Sequence, residues 1–340
     1  MTFFDELAGQ PQALHHLAAT YSSLEGRARL AAVPATPPTW LFGMGASYHA
    51  ALMGAHHLRQ RGVPAQADEA AEALLDETDR LSRVEHVVYI SQSGASAEVL
   101  PLLDHLPPAA HVTALTNAMD SPLAQRSQTV LPLLAGDEQT VATKTFANSV
   151  AALWLLGHHW TRGLHLADFA ALDGVADRLA ALIEQAPRVA GHWLEQLASA
   201  QSFALIGAGR QAITARHAAM VVMEWLKVPA VSATVGAFRH GPIEVAQPGL
   251  GVVVFVAPGP AYASSCQLAE ELRRYGASVL VVEQGRARRP DEATAATESL
   301  DAGLAPIVDI VSVQLFVEAL ARHRGLAPGF RHIAKVVTRL

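Results

Sequence analysis

A chain of 340 residues that is 51% hydrophobic and 16% charged is long enough for two domains of ordinary size, each with its own core. The net charge of −6, with no basic stripe, argues against nucleic acid or an anionic membrane as the main partner, and Arg286, Arg288 and Arg289 are read as a solvated loop ending at Pro290. The lone Cys266 excludes an intrachain disulfide and a cysteine metal cluster; with Asp5 and Glu6 where a signal peptide is basic, and no apolar run of membrane-spanning length, the chain is expected to be cytoplasmic.

Residues 1 to 33 read as helical and are closed by Pro34, Pro37 and Pro38, a stiff boundary before a first strand at Thr39 to Phe42. That strand empties into Gly43-Met44-Gly45, with Ser47 as a hydroxyl at the N-terminus of the next helix. A second apolar, β-branched run, Val87 to Ile90, ends in Ser91-Gln92-Ser93-Gly94-Ala95-Ser96, and helix-forming sequence is expected to start near Ala95. A strand, a tight turn and a helix N-terminus in that order aim backbone N–H groups and the helix dipole at one point, which suits a phosphate. Ser91, Gln92, Ser93 and Ser96 add neutral donors, and no Lys or Arg lies in the stretch. Taken alone, the segment reads equally as an ordinary strand-to-helix turn with a serine N-cap. Val112 to Leu115 and Thr129 to Leu134 are the next strands, so a mostly parallel sheet with helices on both faces is expected. A helical stretch from about 145 to 200 then leads to a second β-rich series: Phe203 to Ile206, Val252 to Val256, Val279 to Val282, and Ile307 onward.

The two series look alike. Leu41-Phe42-Gly43-Met44-Gly45 and Leu205-Ile206-Gly207-Ala208-Gly209 both end a strand in Gly-x-Gly, and each is followed by a Val-Pro pair, Val63-Pro64 and Val228-Pro229. Neither glycine pair extends to Gly-x-Gly-x-x-Gly, so a dinucleotide fold is the weaker reading. In the second copy the loop matching Ser91 to Ser96 reads Ala257-Pro258-Gly259-Pro260, without hydroxyls, so only the first copy is expected to hold a phosphate.

Together these features resemble the SIS (sugar isomerase) family, in particular the two-domain isomerase half of glucosamine-6-phosphate synthase and its stand-alone relatives. The motifs that carry the resemblance are Gly43 to Tyr48, Ser91 to Gly94, Val141 to Phe146, Arg239-His240-Gly241-Pro242 and Ile333-Ala334-Lys335, in the family's order over nearly the whole chain. The resemblance implies an α/β fold of two tandem SIS domains, each a flavodoxin-like parallel sheet flanked by helices. The organisation expected is a helical segment over 1–36, a phosphate-binding domain over 37–165, a helical linker over 166–198, and a second domain with a catalytic tail over 199–340. The synthase's glutamine-hydrolysing domain is expected to be absent, since residue 2 is Thr2 in place of a cysteine nucleophile, which points to an isomerase, deaminase or deglycase.

Aldose–ketose interconversion needs ring opening, a proton moved between C1 and C2, and stabilisation of the enediol or enolamine, for which a carboxylate and a histidine suffice without metal or cofactor. Glu224, in the apolar helical run Met220 to Trp225, suits the base because burial would raise its pKa, although on its own it also reads as an exposed helix residue. His240, before Gly241-Pro242, is by resemblance the ring-opening acid/base; in a chain with 16 histidines an ordinary loop role is the default for any one of them. By resemblance Lys335 reaches the sugar and forms an imine with a ketose carbonyl, and Ser47, Ser91, Gln92, Ser93, Ser96 and Thr143 surround the phosphate. Lys144 is read either with Thr143 beside the phosphate or paired with a carboxylate such as Glu138. The synthase pattern departs at His217 and Val221, where it has a Glu and a Lys; Glu244 after the His-Gly-Pro turn brings this chain nearer the fructosamine-6-phosphate deglycase branch, as a residue for the amine end or a helix-dipole carboxylate. The histidines at 49, 56, 57, 158 and 159 do not form a metal-binding set. Two readings are carried: an enzyme on an amino-sugar 6-phosphate or fructosamine 6-phosphate, and a non-catalytic sugar-phosphate sensor. The expected assembly is a homodimer with shared active sites.

Overall fold

The computed structural model describes residues 2–292 and 300–337. Two compact units emerge: Gly9–Ala176 with the tail from Arg331, called here the first unit, and the residues up to Ala8 with Asp177–Phe330, the second. The expected α/β class with two sheets is what is seen.

In the first unit β1 (Thr39–Gly43), β2 (Ala65–Glu69), β3 (His86–Ser91), β4 (His111–Thr116) and β5 (Thr129–Pro132) form one sheet in the order β2-β1-β3-β4-β5. All its pairings are parallel. The central β3 is buried along its whole length, as expected of a strand covered on both faces. Period-two alternation puts Phe42, Val87, Tyr89, Val112 and Ala114 into one core layer with Leu102 and Leu103 of the helix Val99–His105. Elsewhere Leu41 meets the helices Gly45–Gln60 and Lys144–Arg162 at a close approach: a Cβ on Gly54 would lie 2.8 Å from Leu153 Cδ1 and 3.0 Å from Leu41 Cδ2.

The second unit repeats this plan. β6 (Ser202–Gly207), β7 (Ala230–Thr234), β8 (Leu250–Phe255), β9 (Ser278–Glu283) and β10 (Arg286–Arg288) lie in the order β10-β9-β8-β6-β7, the first sheet's order read from the other edge. Only the β9–β10 pairing is antiparallel. Ile206, Val252, Val254, Val279 and Val281 pack with Phe238 and with Leu268 and Leu272 of the helix Tyr262–Arg274. Trp193 and Phe203 flank Phe316, with ring centroids 5.0 and 6.0 Å away.

Four readings of the sequence are corrected. The run from Ile307 is the helix Ala305–His323, not a strand; it is buried on every side from Ala305 to Val317, so its sequence shows no helical period, and its length marks it instead. β2 and β7 went unread because they are edge strands, half exposed and partly polar; the Val-Pro pairs immediately precede them. Arg286 to Arg288 form β10 rather than a solvated loop. The helix after Ser91–Ser96 begins at Val99, not near Ala95, so no helix N-terminus opens directly on that loop. Among the described residues no helix is long and apolar enough to cross a membrane.

Candidate active site

In a sheet of order 2-1-3-4-5 the chain reverses direction between the first and third strands, and the crevice beyond their carboxyl ends is where ligands bind in such folds. Gly43–Ser47 follows β1 and Ser91–Ser96 follows β3, so both motifs lie at that switch point. Gly43 is required because the next helix turns tightly back: a Cβ there would sit 2.6 Å from the backbone carbon of Ser47. Gly207 makes the same approach to the Gln211 backbone, so Gln211 is the second unit's counterpart of Ser47.

The Ser91–Ser96 loop is a braced turn. Ser91 Oγ accepts the Gly94 N–H at 3.1 Å and Ser93 Oγ accepts that of Ala95 at 3.2 Å, while Ala97 N–H donates to the Val337 carbonyl at 3.0 Å. These N–H groups are thus engaged within the chain, which leaves the hydroxyls and the Gln92 amide as the donors expected from the sequence. Gly94 sits at φ +60°, and a Cβ on it would be 2.0 Å from Ser121 Oγ. Gly94→Ala is therefore expected to cost more than the about 1–2 kcal/mol of the left-handed backbone alone; denaturant unfolding checks it.

Ser47 and Gln92 line one small pocket with Ala46, Leu133, Thr145, Phe146 and Ser149. Thr145 and Ser149 were not singled out from the sequence, although Thr145 stands within the third motif. Thr143 is fully buried, and its hydroxyl faces the protein: its N–H and Oγ1 both donate to Glu138 Oε1 at 2.8 Å. Thr145 N–H donates to Glu138 Oε1 at 3.2 Å, Thr145 Oγ1 donates to Oε2, and Lys335 Nζ lies 3.2 Å from Oε2 while also donating to the Thr140 carbonyl. The lysine on Glu138 is thus Lys335; Lys144 donates to the Asp137 carbonyl instead. Burial opposes the charge of Glu138, but Lys335 and the donors on Thr145 and Thr143 outweigh it and hold the carboxyl below its ordinary value.

The remaining residues belong to the second unit. Glu224 is half-buried in the last turn of the helix Arg210–Leu226, whose end is fixed by a left-handed Lys227 and by Trp225, which contacts Phe3 at 4.4 Å and donates to Glu318 at 2.9 Å. His217, Val221 and Glu224 share one helix face, and the first two are completely buried. His240 ends the helix Val235–Arg239 and is exposed, as is Glu244 in the short 3-10 turn Pro242–Val245. Gly241 between them has φ +127°, a conformation that favours glycine. Among the described residues no group of three or more His, Cys, Asp or Glu is placed to hold a metal.

At the second unit's switch point the chain fills its own crevice. Gln211 Nε2 donates to Asp309 Oδ2 at 2.8 Å and to the Val256 carbonyl at 3.2 Å, and Gly285 N–H donates to Asp309 Oδ1 at 2.7 Å. Burial pushes the Asp309 carboxyl up to about 7, with nearby Glu283 adding to the shift and the hydrogen bonds from Gln211 and Gly285 opposing it. Folding therefore favours the protonated form: the stabilisation is full below the ordinary value of 3.8 and is lost as pH rises to about 7. Asp309→Asn is expected to flatten the melting temperature across that window, and an unchanged slope would assign the dependence elsewhere.

The SIS domain family model matches residues 39–159 and 196–321, one segment on each sheet. The chain belongs to the SIS domain family. The isomerizing glutamine–fructose-6-phosphate aminotransferase of Pyrococcus horikoshii is 28% identical over 304 residues, 87% of this chain and 51% of that protein. The chain thus spans about half the length of the curated relatives it matches. In structure it is similar to the C-terminal domain of glucosamine-fructose-6-phosphate aminotransferase from Francisella tularensis, with a TM-score of 0.83 at 18% identity over 97% of this chain and 98% of that one. It is also similar to glucosamine-6-phosphate deaminase from Thermotoga maritima, with a TM-score of 0.75 at 21% identity over 99% of each chain.

Proposed function

We propose that this SIS protein is a phosphosugar isomerase or deaminase acting on an amino-sugar 6-phosphate or a fructosamine 6-phosphate, by metal-free proton transfer between C1 and C2. The observation that carries the reading is the hold on the C-terminal segment: Lys335 lies on Glu138, and Thr145, one of the two threonines that donate to that carboxylate, lines the pocket that collects Ser47 and Gln92. A cation beside a cradle of neutral donors suits a substrate with a phosphate at one end and a developing oxyanion at the other.

In this reading Ser47, Ser91, Gln92, Ser93 and Ser96 hold the phosphate, His240 protonates the ring oxygen and opens the ring, and Glu224 carries the proton between C2 and C1. Lys335, paired with a carboxylate, serves in this reading as a cation for the enediol oxygen; an imine with a ketose carbonyl requires that pair to open. For an amino sugar, proton transfer yields a C2 imine, to which water adds and from which ammonia leaves. Glu244 takes the amine end of the substrate. The working assembly is a homodimer in which the exposed His240 serves the neighbouring subunit's site; a monomer by sedimentation at micromolar concentration would count against it.

The test is product analysis with purified protein. Ammonia and fructose-6-phosphate from glucosamine-6-phosphate identify a deaminase, an amine released from a fructosamine 6-phosphate identifies a deglycase, and glucose-6-phosphate from fructose-6-phosphate identifies an isomerase. Binding of these compounds without turnover would contradict the enzyme reading and leave the sensor.

A further inference from the structure

Where β4 ends, the chain braces two of the loops that line the small pocket of the first unit. Thr116 Oγ1 and the Asn117 N–H both donate to the Gln92 carbonyl, at 3.3 and 3.1 Å, so one side of the brace is the Ser91–Ser96 loop. The other side is the segment from Leu133 to Gly136 that follows β5. Asn117 Oδ1 accepts the Ala135 N–H at 2.9 Å, and Asn117 Nδ2 donates to the Gly136 carbonyl at 2.8 Å. A side-chain amide suits this pair of bonds, since an ionised carboxylate accepts without donating and a hydroxyl sits on a shorter stem.

A second, independent observation says why that segment needs holding. Leu134 has φ +57°, in the left-handed region where the Cβ of a leucine crowds the following carbonyl. Such a conformation persists where its surroundings over-determine it, and outliers of this kind gather at ligand clamps. On one side of Leu134, Leu133 is fully buried, donates its N–H to the Thr116 carbonyl at 2.9 Å and lines the pocket with Gln92. On the other side Asn117 fastens both Ala135 and Gly136. Thr116 and Asn117 thus fix the strained turn at its two ends, and the same two residues set where Gln92 sits.

We propose that Asn117 is a positioning residue of the sugar-phosphate site, holding the Gln92 loop and the Leu133 wall in register, an assignment that rests on the phosphate-binding role proposed above. Calorimetric titration with fructose-6-phosphate and with glucosamine-6-phosphate tests it. Asn117→Ala is expected to raise the dissociation constant of whichever compound the wild type binds by about tenfold, the size expected from losing two neutral hydrogen bonds, and to speed amide exchange at Ala135. Asn117→Asp keeps the acceptor for Ala135 and loses the donor to Gly136, so it should weaken binding while the Ala135 amide stays protected. Trp160→Phe removes a hydrogen bond to the Val33 carbonyl at the opposite end of β3, where Trp160 meets His86; it should lower the melting temperature without moving the dissociation constant. Unchanged affinity in both Asn117 variants would overturn the assignment and leave the phosphate site standing, and so would an equal loss of affinity in Trp160→Phe. A wild type that binds neither compound would overturn both.

Discussion

Replacing Glu138 with leucine is expected to destabilise the protein by about 3–5 kcal/mol, the range found when one partner of a buried ion pair is removed. The carboxylate is completely enclosed, and the change would leave Lys335, the Thr143 and Thr145 hydroxyls and their two N–H groups without their acceptor. Glu138→Gln keeps the shape and one acceptor oxygen, so it should cost less than leucine while still freeing Lys335. Because the folded carboxyl lies below its ordinary value of 4.5, the stabilisation it gives is present above that value and lost as pH falls through the folded one. The wild type should therefore lose stability below about pH 4.5, and Glu138→Gln should lose less over the same range. Denaturant midpoints measured at pH 7 and pH 4 check both statements. A change within 0.5 kcal/mol for the leucine variant would mean that this hub does not organise the loops and the tail.

The second large effect concerns chemistry rather than stability. Glu224→Gln is expected to lower kcat on the sugar-phosphate substrate by about 10²–10⁴, the usual contribution of a positioned general base, with KM changed little. Glutamine keeps the size and polarity of the side chain in the last turn of its helix but cannot accept the proton. The residues proposed to hold the phosphate lie in the first unit and are untouched by the change, so substrate capture should survive it. A KM raised with kcat intact would assign Glu224 to substrate binding and require another base. Val221, wholly buried on the same helix face, offers no alternative proton carrier, which sharpens this test.

How much of this was legible in the sequence depends on where each residue sits. The duplicated plan was readable because Gly43 and Gly207 answer to the same steric demand, and a backbone contact leaves no choice of residue. β3 and β8 were readable because strands buried on both faces are continuous apolar runs. The same property misled at Ile307, where a helix enclosed on every side also presents an unbroken apolar run. β2 and β7 escaped because edge strands need no such run. In the site, Ser47 and Gln92 stood out by their place after strands, whereas Glu138 was noticed only as a partner for Lys144. Nothing in the local sequence says that a lysine nearly two hundred residues further on will occupy it. Gln211 and Asp309 were invisible for the same reason, being joined only through the folded second unit.

Proton NMR in D₂O tests most directly whether this protein moves a proton between C1 and C2 of a sugar phosphate, as proposed. With glucosamine-6-phosphate, fructose-6-phosphate or a fructosamine 6-phosphate as substrate, the wild-type protein is expected to introduce deuterium at the C1 or C2 position of at least one, and Glu224→Gln to abolish that exchange. Absence of exchange with all three, under conditions in which the protein demonstrably binds them, would contradict the account.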